Sequence, residues 1–183
     1  MQLHVSVNGS WPRTATEQLA LLAARQRGAR RHRQPVAMIG PGDGGERECA
    51  AARQVAALLA AAGMVIVCGG RAGVMEAASQ GAAEAGGIVI GVLPEDDAST
   101  ANAWLTIALP TGMGEMRNAL IARSSLCLVA IGGGMGTLSE MALGLKWGKP
   151  VFTLYEEIRL PGAQACASHQ ELAARVAAWL AQA

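Results

Sequence analysis

Short apolar blocks punctuate this chain, and each runs into glycine or proline or a polar loop. Residues 36–39, 64–68, 88–93, 126–131 and 151–155 are nearly continuous apolar runs, the pattern of strands buried on both faces. A weaker block at 104–109 predicts a further short strand. Between the blocks lie stretches rich in good helix formers, which predict helices at 46–62, 73–85, 115–124, 137–147 and 169–181. Gly63 and the pair Gly86-Gly87 stop the first two. Strands alternating with helices predict an α/β fold, a Rossmann-like, doubly wound parallel sheet in a single domain. The glycine- and proline-rich turns that follow the strands then share the carboxyl edge of the sheet. Ligands bind there, where the strand order reverses.

The chain before Pro35 reads differently. Leu3, Val5 and Val7 alternate with His4 and Ser6, which predicts a short edge strand broken by Trp11-Pro12. Residues 14–27 predict a helix. Arg25, Arg27, Arg30, Arg31 and Arg33 then cluster as a solvated linker; the other readings of such a run are a nucleic-acid arm or an organelle transit segment. The expected organisation is an N-terminal extension with an Arg-rich linker, residues 1–34, followed by a ligand-binding domain at 35–183.

Composition narrows the function. Half the residues are apolar (51%) but only 3% are aromatic, which suits small-residue helices packed closely on a sheet. A net charge of +1 gives no field to draw the chain to a membrane or to nucleic acid, so neither partner is expected. No apolar run is long enough to span a bilayer and no secretory pattern opens the chain. Cys49, Cys68, Cys127 and Cys166 are widely spaced without a CxxC pair, and His4, His32 and His169 have no ligand spacing. A reduced, cytoplasmic protein without a metal site is therefore expected.

The chemistry concentrates at residues 131–140, Ile-Gly-Gly-Gly-Met-Gly-Thr-Leu-Ser-Glu. A strand climbing into a glycine triplet and then a helix aims backbone N–H groups and a positive helix end at an anion. Gly133, Gly134, Gly136 and Thr137 are the expected phosphate seat. Thr137 and Glu140 also spell T-x-x-E, a capping box that starts the helix at Thr137. Gly40, Gly42 and Gly45 spell a dinucleotide fingerprint after the first core strand. The acid that such a site needs at the end of the second strand is missing, because Cys68-Gly69-Gly70 stands there. No G-K-[ST] follows a glycine loop and no G-x-S-x-G elbow exists, which excludes a Walker NTPase and an α/β-hydrolase.

Three ordered motifs carry a resemblance: residues 67–76 (Val-Cys-Gly-Gly-Arg-Ala-Gly-Val-Met-Glu), 86–94 (Gly-Gly-Ile-Val-Ile-Gly-Val-Leu-Pro) and 132–140. Over residues 35–154 the chain resembles the Lonely-guy (LOG) or SLOG Rossmann-like superfamily. In wording it is closer to an uncharacterised bacterial branch near the molybdenum cofactor carrier proteins. The resemblance implies binding of a nucleoside 5′-monophosphate and cleavage of its N-glycosidic bond by a phosphoribohydrolase. The family signature PGGxGTxxE maps onto residues 132–140, with Gly132 replacing proline. The signature MHxRK falls on residues 114–118, with Arg117 kept, Glu115 in place of His and Asn118 in place of Lys.

Arg117 and Glu140, 23 positions apart, take the family's catalytic places. In that reading Arg117 holds the phosphate and Glu140 stabilises an oxocarbenium-like state as the base departs. Gly40, Gly42, Gly69, Gly70 and Gly73 line the nucleotide, and Asn118 and Arg123 join its phosphate. The plain alternatives are that Glu140 caps its helix, that Arg117 only forms an ion pair, and that Arg123 is a surface residue. The lost His and Lys open a second function class, a non-catalytic carrier of molybdopterin. No cofactor is required in either; the bound molecule is a nucleotide monophosphate or molybdopterin, and a homo-oligomer, dimer or tetramer, is implied.

Overall fold

Seven parallel strands lie in one sheet in the order β4-β3-β2-β1-β5-β6-β7. They are β1 (Val36–Ile39), β2 (Ile66–Cys68), β3 (Val89–Leu93), β4 (Ile107–Pro110), β5 (Leu128–Ile131), β6 (Val151–Leu154) and β7 (Gln164–Ala165). The helices are α1 (Arg13–Arg27), α2 (Glu46–Ala61), α3 (Val74–Glu84), α4 (Asn118–Ser124), α5 (Met135–Lys146) and α6 (His169–Leu180). This computed structural model describes residues 13–27 and 34–183. The strand expected at residues 3–7 and the arginines Arg30, Arg31 and Arg33 lie outside them.

The central strands are buried along their whole length, as their unbroken apolar runs require. Successive side chains serve opposite faces. Met38, Ile66, Val129 and Phe152 face a core roofed by α2, α3 and α6. Ala37, Ile39, Val67 and Leu128 face a second core under α4 and α5. Because α4 has only seven residues, that second roof is short. Ile107 and Leu109 of β4, and Leu120 of α4 itself, stay more than two-fifths exposed.

Several expected boundaries move. The helix expected at 115–124 is a 3₁₀ turn, Gly114–Arg117, that runs into α4. The block at 104–109 reaches the sheet only from Ile107, so residues 104–106 are loop. The two-residue β7 has no periodic signal and was not expected. The largest correction concerns α5. It starts at Met135, two residues before Thr137, and its N-cap is Gly134 with no side-chain cap. Thr137 and Glu140 therefore sit inside the helix and form no capping box. Both are buried instead, at 3% and 6% exposure.

The helix expected at 14–27 is α1. Leu19, Leu22 and Ala23 are buried in the first core, with α1 packed on α6.

Candidate functional site

The strand order reverses between β1 and β5, which pair in register from Ala37 with Leu128 to Ile39 with Ala130. Past their carboxyl ends the loop at residues 40–45 and the glycine turn at 132–134 diverge toward opposite helices. A cleft of about 510 Å³ opens there. Such a volume lies within the usual range for small-molecule sites.

Three loops and two helix starts build the cleft. Gly40 and Gly42 come from the loop after β1, Gly69 from the loop after β2, and Gly134, Gly136 and Thr137 from the start of α5. Arg117 and Asn118 enter from the junction of the 3₁₀ turn with α4, and Glu140 from the second turn of α5. The first two loops are interlocked: the Val74 amide, first in α3, donates to the Pro41 carbonyl at 3.1 Å. Gly73 makes this approach possible. It has φ of +67°, and a Cβ there would stand 2.5 Å from the Gly42 carbonyl carbon and oxygen.

The guanidinium of Arg117 is buried, with 6% of the residue exposed. Its Nη1 donates to Asn118 Oδ1 at 2.8 Å, and its Nε has no hydrogen-bond partner. The group also lies close to the chain at Gly69. A Cβ on Gly69 would come within 2.7 Å of Nη2 and 2.8 Å of Nη1. Glu140 Oε1 stands 3.6 Å from Nη1, close enough for an ion pair but outside hydrogen-bond reach. Burial raises the Glu140 carboxyl from 4.5 to about 8; Arg117 opposes the rise and Glu115 adds to it. Burial thus favours the neutral carboxyl, which weakens its compensation of the buried guanidinium charge.

Not every expected residue reaches the cleft. Gly133 lines a separate cavity of about 180 Å³ on the far side of the glycine turn, beside Glu156 and Ile158. Gly70 is a backbone hinge with φ of +75°; its carbonyl accepts from the Asn102 amide and side chain at 2.9 and 3.1 Å. Gly73 interlocks the loops as described. Arg123 is displaced outright. Its guanidinium lies 5.1 Å from the centre of the Trp147 ring, and it lines an apolar groove with Leu109 and Leu120. Six residues along a helix from Arg117 carry it to another face.

Sequence reasoning gave no role to Asp43, Arg71 and Met75, which also line the cleft. Arg71 was in plain view within the motif at 67–76; a charged residue in a loop that follows a strand is the signal that could have found it. Among the described residues no group of three or more His, Cys, Asp or Glu is placed to hold a metal ion. No described helix is long and apolar enough to cross a membrane.

The chain is similar to several known proteins. An uncharacterised protein of Archaeoglobus fulgidus is 39% identical over 127 residues, covering 69% of this chain and 83% of that one. The cytokinin riboside 5′-monophosphate phosphoribohydrolase LOG5 of Arabidopsis thaliana is 37% identical over 109 residues, 56% of this chain and only 47% of that enzyme. Among solved structures, the molybdenum cofactor binding protein of Rippkaea orientalis superposes with a TM-score of 0.77 at 33% identity, covering 82% of this chain and 99% of that one. A profile of the SLOG cluster4 family matches residues 33–182, and the chain belongs to that family.

Proposed function

We propose that the cleft binds a phosphorylated small ligand of the molybdopterin class and holds it without turnover. One observation carries this reading: the buried Arg117 guanidinium, held by a neutral amide, with an unpartnered Nε. A buried charge without a counter-ion is costly, and an anion entering the cleft relieves that cost. The start of α5 adds to the attraction, since no side chain caps its first amides. The phosphate of the ligand therefore lies at Gly134 and Gly136 with Arg117 beside it. Burial shifts Glu140 toward its neutral form, which does not stabilise an oxocarbenium-like state, and this supports storage over chemistry. The likeness to the Rippkaea protein, over nearly all of that chain, supports the same choice.

Nucleoside 5′-monophosphate hydrolysis is the second reading. Arg117 and Glu140 meeting in one cleft favours it, as does the partial likeness to LOG5. A single experiment divides the two. The purified protein is incubated with a panel of nucleoside monophosphates, and its own bound material is examined by mass spectrometry and pterin fluorescence. Pterin bound and no free base released is the expected result. Multiple turnovers on any nucleotide overturn the carrier reading. The uncovered apolar face at Ile107, Leu109 and Leu120 supports the homo-oligomer expected from the sequence, which light scattering tests.

A further inference from the structure

Asn118 lies in the cleft, and its hydrogen bonds are already committed. Oδ1 accepts from Arg117 Nη1 at 2.8 Å. Nδ2 donates to Ser139 Oγ at 2.8 Å and approaches the Gly136 carbonyl at 3.4 Å. Ser139 Oγ in turn donates to that same carbonyl at 2.7 Å. Both amide protons are therefore occupied, and the residue is 5% exposed. This is the bonding of a strut between the arginine and the first turns of α5, with no donor left for a ligand.

The position matters because of what stands on the other side. Glu140 Oε1 is the one carboxylate oxygen within ion-pair distance of Arg117 among the described residues, at 3.6 Å. A guanidinium free to move would close on it and favour its ionised form, since a charge-assisted, bidentate contact with a carboxylate is much stronger than a bond to an amide. Closing would neutralise Arg117 and take it away from an incoming phosphate. Asn118 supplies an acceptor that fixes the guanidinium without neutralising it. The guanidinium also lies close to the chain at Gly69, where an added Cβ would come within 2.7 Å of Nη2.

We propose that Asn118 is a positioning residue: it ties Arg117 to the start of α5 and keeps it from collapsing onto Glu140, so that the arginine stays available to an anionic ligand. The proposal rests on the phosphate-binding reading of the cleft for its purpose, but not for its test. Collapse changes Glu140 whether or not a ligand exists. The groups that act on the Glu140 charge are Arg117 and Glu115, and Cys68 lies within reach beneath the β2 loop.

The test follows the Glu140 carboxyl by carbon NMR in the full chain, together with calorimetric binding of inorganic phosphate. Asn118→Ala frees the guanidinium. The Glu140 titration midpoint then falls by about one unit or more, as expected for a carboxylate that gains a contact partner. Phosphate affinity falls about tenfold in the same variant. Ser139→Ala removes only the closest anchor of Asn118, and it moves the midpoint in the same direction by less; this variant decides the matter if Asn118→Ala does not fold. A midpoint unchanged in the folded variants overturns the positioning role, whatever phosphate does. A midpoint that falls as stated, in a protein whose parent binds no phosphate, sustains the positioning role and removes the phosphate seat instead.

Discussion

Glu140 lies in the second turn of α5, 6% exposed, with Oε1 at 3.6 Å from Arg117 Nη1. The T-x-x-E spelling that ends in it has the same form as Ser168-x-x-Glu171, yet only the second acts as a cap. Ser168 Oγ accepts from the Glu171 amide at 3.2 Å, and Glu171 Oε2 accepts from the Ala167 amide at 2.8 Å. A cap contributes only about 1 kcal/mol. At α5 the tertiary packing that buries Thr137 and Glu140 decides where the helix begins. The burial has a measurable consequence. Between about pH 4.5 and pH 8 the folded chain keeps the Glu140 proton that the unfolded chain has released. The folded state then binds more protons, so stability falls as pH rises through this window and levels off above it. The loss is on the order of a few kcal/mol. Glu140→Gln removes the titration. Urea unfolding at pH 5 and pH 8.5 should therefore give a larger drop for the parent than for the variant, with the variant the more stable at the higher pH. Parallel profiles would mean that Glu140 does not titrate in this window.

At the scale of elements, the glycine loops were legible as a group but their tasks were not. Glycine runs after strands marked the carboxyl edge correctly, because a parallel sheet places all those turns on one side. Periodicity says nothing about which glycine faces a ligand and which faces its neighbouring loop. Gly73 and Gly134 show the difference. Gly73 has positive φ and sits against the backbone of the loop after β1. Gly134 has φ of −133° and open space where a Cβ would go. Gly73→Ala is expected to cost about 2 kcal/mol or more, combining a left-handed alanine with a clash against backbone that cannot step aside. Gly134→Ala is expected to unfold within about 1 kcal/mol of the parent, the scale of a changed N-cap. Its methyl group enters the anion seat, so inorganic phosphate binds more weakly. Calorimetry and urea unfolding on both variants check the contrast. A Gly134→Ala protein that binds phosphate like the parent would put the seat elsewhere.

The whole molecule was legible where its physics is repetitive. Buried parallel strands write unbroken apolar runs into the sequence, and the β–α alternation then leaves few topologies. The N-terminal region carried no such signal. The cluster from Arg25 to Arg33 predicts a linker, and the helix before it carries three apolar residues, Leu19, Leu22 and Ala23, that are buried in the first core. Leu22 is only 2% exposed and Leu19 7%, within the core that includes Leu172, Val176 and Leu180 of α6. Removing residues 1–33 strips that cover from α6. Each leucine contributes about 1.5–3 kcal/mol by burial, so the truncated chain is expected to lose roughly 3–6 kcal/mol. It should still fold, because the family profile begins at residue 33 and both faces of the central sheet keep α2 to α6. The cleft begins at Ile39 and contains nothing from α1, so phosphate affinity should not change. Urea midpoints and phosphate titrations of the full and truncated chains measure both statements. An unchanged midpoint would show that α1 contributes no stability by docking on α6, and a lost phosphate site would show that the cleft depends on a segment it does not touch.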